Sequence, residues 1–151
     1  MNDAELQLNG FIDKFTPEVA ALTRALLAKA KARIPGAQLL VYDNYNALAI
    51  GFGRSEKASE AILSLAVMPR WVTLCFLHGK SLPDPHRLLN GVGSRVRNVR
   101  LHEAADFDEP RIQALIAAAL DQTEWPLDPA APQRLIIKSI SAKQRPRRPK
   151  A

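Results

Sequence analysis

Between residues 38 and 77 the chain is cut into four apolar runs, 39–42, 48–52, 62–67 and 71–77, rich in β-branched and aromatic side chains. Runs of that length and composition read as strands. The links Asp43-Asn44-Tyr45-Asn46 and Met68-Pro69-Arg70 are short. They favour antiparallel hairpins over the longer crossovers that parallel strands need. Similar runs at 96–101 and 135–140 predict a fifth and a sixth strand. The expected fold class is therefore α+β, a mostly antiparallel sheet of about five or six strands with flanking helices.

Helices fill the remainder. Thr16-Pro17-Glu18 supplies a cap, a first-turn proline and a first-turn acid, after which Val19, Leu22, Leu26, Leu27 and Ala30 recur at helical spacing until Pro35-Gly36. Leu8, Phe11, Ile12 and Phe15 predict a shorter helix upstream. The strongest amphipathic period, Ile112, Leu115, Ile116, Ala119 and Leu120, follows Asp108 as expected cap and stops before Trp125-Pro126. In the second strand Leu48, Ile50 and Phe52 alternate with Ala47, Ala49 and Gly51. The small face is expected to receive the Thr16 helix, because small side chains allow close approach.

The chain of 151 residues carries a formal net charge of +6, which invites a nucleic-acid reading. Position matters more than the total. Residues 134–151 hold seven basic residues and no acidic one, leaving fourteen basic against fifteen acidic ahead of them. The expectation is one near-neutral domain over 1–133, then a short strand and a Lys/Arg/Pro-rich tail that is disordered in isolation. Lys143, Arg145, Arg147, Arg148 and Lys150 are the candidate nucleic-acid contacts in that tail, with a solubilising end as the plainer account. No apolar run approaches membrane-spanning length and the N-terminus has no signal-peptide pattern, so a cytoplasmic protein without a membrane partner is expected. The single cysteine, Cys75, excludes an internal disulfide and reads as a small core residue.

Recognised motifs fail on spacing. Gly79-Lys80-Ser81 ends like a phosphate-binding loop, but Leu74 stands where its first glycine is required. Gly91-Val92-Gly93 is followed by Val96 where a dinucleotide fingerprint needs glycine. His78, His86 and His102 lack metal-ligand spacing and read as surface or loop residues, and Asp106, Asp108 and Glu109 as helix-start acids. No metal, cofactor or catalytic residue is assigned.

Two segments carry more polarity than their turns need. One is Tyr42-Asp43-Asn44-Tyr45-Asn46, the other the loop from Gly79 to Arg97, where Arg95 and Arg97 stand near Gly91 and Gly93. A ligand site between them would take Tyr42, Asp43, Asn44 and Tyr45 from the turn, Lys80, Asp84, Arg95 and Arg97 from the loop, and Trp71 beside them. Turn chemistry and a solvated sheet rim are the plainer accounts.

The Pro35-Gly36 junction, the Tyr-Asp-Asn-Tyr-Asn turn and the run from Gly79 through Leu82-x-Asp84-Pro85-x-x-Leu88-Leu89-x-Gly91-x-Gly93-x-x-x-Arg97 resemble the YdhG-like bacterial domain, which has frataxin-like relatives. The resemblance covers roughly residues 11–122 and implies an α+β fold. It also implies an iron-chaperone role, from which the first long helix departs, with Glu18 against Arg24, Lys29, Lys31 and Arg33. That surface repels Fe²⁺. The expected function is a non-enzymatic binding module for a small polar or anionic ligand. The alternatives are nucleic-acid association through the tail and a frataxin-like iron chaperone.

Overall fold

The computed structural model of the protein describes residues 1–150. Helix α1 covers Asp3–Ile12 and α2 Pro17–Arg33; strands β1 (Gln38–Asp43), β2 (Leu48–Gly53), β3 (Ala61–Val67), β4 (Val72–Phe76) and β5 (Arg97–Leu101) follow, then α3 (Pro110–Gln122) and β6 (Leu135–Ile140). The strands form one six-stranded sheet in the order β5-β4-β3-β2-β1-β6. All neighbours pair antiparallel except β6, which lies parallel to β1. The α+β class and the mostly antiparallel sheet are those read from the runs and links.

Local chemistry sets the helix ends. Asn2 and Glu5 exchange side-chain and backbone hydrogen bonds across the first turn of α1, at 2.9 and 3.2 Å. The Thr16 hydroxyl accepts from the Val19 N–H to start α2. The cap of α3 is Glu109, whose carboxylate accepts from the Arg111 and Ile112 N–H groups. Asp108, the expected cap, instead ends a short 3-10 helix and pairs with Lys29 of α2. The reason is Pro110, which begins the helix and so puts the cap one residue earlier than itself.

The helices pack on one side of the sheet. That side presents Leu39 and Val41 of β1, Leu48, Ile50 and Phe52 of β2, and Leu65 and Leu74 beyond them, all essentially buried. The expectation that α2 docks on the small face of β2 is thus overturned. Burying a Leu, Ile or Phe side chain is worth roughly 1.5–3 kcal/mol each, while Ala49 and Gly51 offer a fraction of that area. The bulky face takes the helices and the small face is left half open. Cys75, expected in the core, belongs to that second face; burial pushes its thiol up, partly offset by a hydrogen bond with Ser64.

The C-terminal segment folds back onto the globule, against the expectation of a disordered tail. Ser141 N–H donates to the Asp43 carbonyl and Arg145 N–H to the Tyr45 carbonyl, both at 2.9 Å. Arg147 then inserts its guanidinium, donating from Nη2 to Asp43 Oδ1 at 2.9 Å and to the Asn44 carbonyl at 2.6 Å. Lys14 Nζ reaches the other carboxylate oxygen at 2.8 Å. The Asp43 side chain is 0% exposed and that of Arg147 5% exposed. Burial acts to raise the Asp43 carboxyl pKa, but Lys14, Gln144 and Arg147 outweigh it and hold it below the ordinary carboxylate value. A carboxylate removed from water needs cations, and the tail supplies one of them.

Candidate functional site

The sheet register separates the two segments expected to share a ligand. Asp43 aligns with Leu48, Val67, Val72 and Leu101 at one end of the sheet. Arg97 aligns with Phe76 and Leu63 at the other. The turn after β1 and the loop before β5 therefore lie at opposite ends, about 15 Å apart along the strands. A site spanning Tyr42 to Arg97 does not form. Periodicity predicted the strands but not which ends they share, which depends on counting strand reversals.

Within these segments several expected ligand contacts already have structural partners. Asp43 anchors the tail, and the Asn44 carbonyl accepts from Arg147. Asp84 accepts from the Leu88 and Leu89 N–H groups at 2.9 Å each, closing its own loop. Arg97 donates from Nη1 to the Gly93 and Val96 carbonyls. Gly79 permits this close packing, since a Cβ placed there would stand 2.5 Å from Arg97 Cβ. The Tyr42 hydroxyl is enclosed without a hydrogen-bond partner, and burial raises its pKa. Trp71 donates from Nε1 to Thr73 Oγ1 and lies under the Arg100 guanidinium, 3.8 Å from its ring centre. Arg147 is also withdrawn from the expected nucleic-acid contacts, because a buried, carboxylate-bound guanidinium has no free face for phosphate.

Lys80 and Arg95 are brought together. Lys80 N–H donates to the Arg95 carbonyl at 2.9 Å, and the two line a shallow depression with His78, Ser81 and Ser94. His78 and Ser81 also border a deeper cleft of about 170 Å³. Its apolar floor is Ile62 of β3, Phe76 of β4, Leu82 and Ala119 of α3. Gln122, Thr123, Glu124 and Trp125 close the far wall. The His78 and Trp125 rings, both in the lining, pack together with centres 5.6 Å apart and planes at 37°. Ser81 Oγ donates to the His78 carbonyl at 3.0 Å and meets Gln122 Oε1 at 3.5 Å.

Each wall has a local cause. Strand β4 ends at Phe76, and the 3-10 helix at Gly79–Ser81 turns the chain across the sheet end, placing His78 and Ser81 on one rim. Helix α3 ends at Gln122; the Thr123 hydroxyl accepts from the Trp125 N–H at 3.1 Å and turns the indole back toward the sheet. The cleft is electrically two-ended. Glu124 and the unpaired carbonyls of the last α3 turn make one wall negative, while Lys80 and Arg95 make the adjoining mouth positive. An elongated polar molecule with an apolar body matches that gradient, its anion toward Lys80 and Arg95.

Trp125, Gln122 and Glu124 were not among the residues expected to bind a ligand. The sequence held one signal, a tryptophan placed directly after the strongest amphipathic helix and before proline. Among the described residues, no three of His, Cys, Asp and Glu converge as metal ligands, and no helix is long and apolar enough to cross a membrane. Compared with protein-family models, curated proteins and solved structures, the chain matches none.

Proposed function

We propose that the protein is a non-enzymatic binding module for a small anionic compound with a flat apolar body, held in the cleft between β4 and the end of α3. The observation that carries this reading is the His78–Trp125 ring pair standing over an apolar floor and beside two exposed cations. Aromatic walls favour a planar body, and the cations favour a carboxylate or phosphate at its end. A cleft of about 170 Å³ suits a one-ring compound rather than a dinucleotide. Ser81 directs its hydroxyl to a backbone carbonyl instead of an imidazole, so its hydroxyl is engaged in structure and the reading assigns no catalytic residue. The YdhG-like resemblance enters this reading for the fold alone and contributes nothing to the choice of ligand.

Fluorescence titration tests it. In a Trp71→Phe background Trp125 is the only indole, and one-ring carboxylates and phosphates are expected to change its emission saturably. Lys80→Gln and Arg95→Gln should each weaken that binding about tenfold, the scale of one lost charge-assisted hydrogen bond. Unchanged emission and unchanged melting temperature across the panel would sink the reading.

A further inference from the structure

The other end of the sheet carries two arginine–aromatic pairs with exposed arginines. The Arg100 guanidinium stands 3.8 Å from the Trp71 ring centre, and that of Arg145 stands 5.7 Å from the Tyr45 ring centre. Tyr45 belongs to the turn of the β1–β2 hairpin and Trp71 to that of the β3–β4 hairpin, which are neighbours in the sheet. Two strand spacings put the two turns roughly 10 Å apart. Tyr45 is 49% exposed, and both arginines reach solvent. The carboxylate beneath this rim, Asp43, is enclosed and already matched by Lys14 and Arg147. Arg70 and Lys143 add exposed cations at the same end.

We propose that this rim binds single-stranded nucleic acid, with bases stacked on the Arg100–Trp71 and Arg145–Tyr45 pairs and phosphates between the cations. An arginine held beside an aromatic ring offers planar and cationic surface together, and an unpaired base stacks on such groups. A duplex keeps its base faces inside, so it offers these platforms only phosphate. A small ligand is a poorer match, since one molecule would have to reach two stacks on separate hairpins. An anionic chain satisfies both the spacing and the sign of charge. The tail takes part here as a folded wall carrying Arg145, with Arg147 as its anchor, and not as a loose polycation.

Anisotropy of an end-labelled strand of about eight nucleotides tests the proposal, read between about 50 and 200 mM salt. The strand is expected to bind more tightly than the matched duplex. Tyr45→Ala and Trp71→Ala should each weaken it about tenfold, and Arg100→Gln and Arg145→Gln should each lower the salt slope by about 0.7. Lys80→Gln, beside the cleft at the opposite end of the sheet, should leave it unchanged, which separates this surface from the proposed ligand site. Trp71 is half-buried, so the exposed Tyr45→Ala variant keeps the test valid if Trp71→Ala misfolds. Absence of binding at low salt, equal affinity for duplex, full displacement by polyglutamate, or undiminished binding by Tyr45→Ala would each overturn the proposal.

Discussion

Arg147 and Arg95 come from similar stretches of chain, rich in cations and in proline or glycine, and they end in opposite circumstances. Arg147 is 6% exposed, lies against the Phe15 ring and is bound to a carboxylate with no solvent access. Arg95 is exposed at the mouth of a cleft beside Lys80. The difference lies in what the sheet places nearby. Asp43 faces the helix side in line with Leu39 and Val41, where an unpaired carboxylate is costly, so a distant arginine is drawn in. Among the described residues the other buried acid, Glu60, is matched by Arg54 close to it in sequence, so Lys80 and Arg95 are not drawn into a pair and remain available.

The largest test of that contrast is to remove the acid. Asp43→Ala leaves Lys14 and Arg147 without their common partner, and a denaturant titration should show a loss of about 3–5 kcal/mol. Tryptic cleavage after Lys143 and Arg147 should accelerate at the same time as the tail detaches. Asp13→Ala offers the control, because that carboxylate is 63% exposed in its pair with Arg24 and should cost under about 1 kcal/mol. Equal losses from the two variants would show that burial does not distinguish them. Arg147→Met should fall between, at about 2 kcal/mol, since Lys14 still holds Oδ2.

The same pair fixes a pH window. The folded Asp43 carboxyl titrates below its ordinary value, so its contribution is complete above the unfolded value, near pH 4, and is lost as pH falls through the folded one. Melting curves of the wild type should therefore decline below about pH 4 more steeply than those of Asp43→Asn, which lacks the titrating group. Parallel curves would remove Asp43 from the acid response.

Legibility followed the range of the interaction. Strand runs, hairpin links and the Thr16 cap are local, and the sheet they imply is the one observed. The docking face of β2 was misread because Ala49 and Gly51 were judged by how closely a helix can approach, when the area buried by Leu48, Ile50 and Phe52 decides the matter. The tail was misread because its composition matches a disordered segment, while its anchor lies about a hundred residues away in sequence, at Asp43. Lys80 and Arg95 were each legible as candidate contacts, but not as a pair, since the Lys80 N–H to Arg95 carbonyl bond that joins them is long-range. Trp125 was not, since its partner His78 meets it only after α3 has crossed the sheet.

Gly79 tests the loop's side of the comparison at intermediate size. A Cβ there would stand 2.5 Å from Arg97 Cβ and 2.9 Å from the Arg97 N, so the loop or the start of β5 must shift. Gly79→Ala should cost about 1–3 kcal/mol by overpacking and should loosen the Lys80–Arg95 rim, raising ligand dissociation constants in the fluorescence titration. Retained stability would mean that the loop is not held by this approach.

The smallest effect is the most discriminating. Arg95→Gln should change stability by no more than about 0.5 kcal/mol, because the side chain is exposed and the hydrogen bond received from Lys80 goes to the backbone carbonyl, which the substitution keeps. Paired with the expected tenfold loss of anion binding, that result separates a cation held for binding from one held for folding. A stability loss approaching that of Arg147→Met would place Arg95 in the scaffold, and the two arginines would then differ only in exposure.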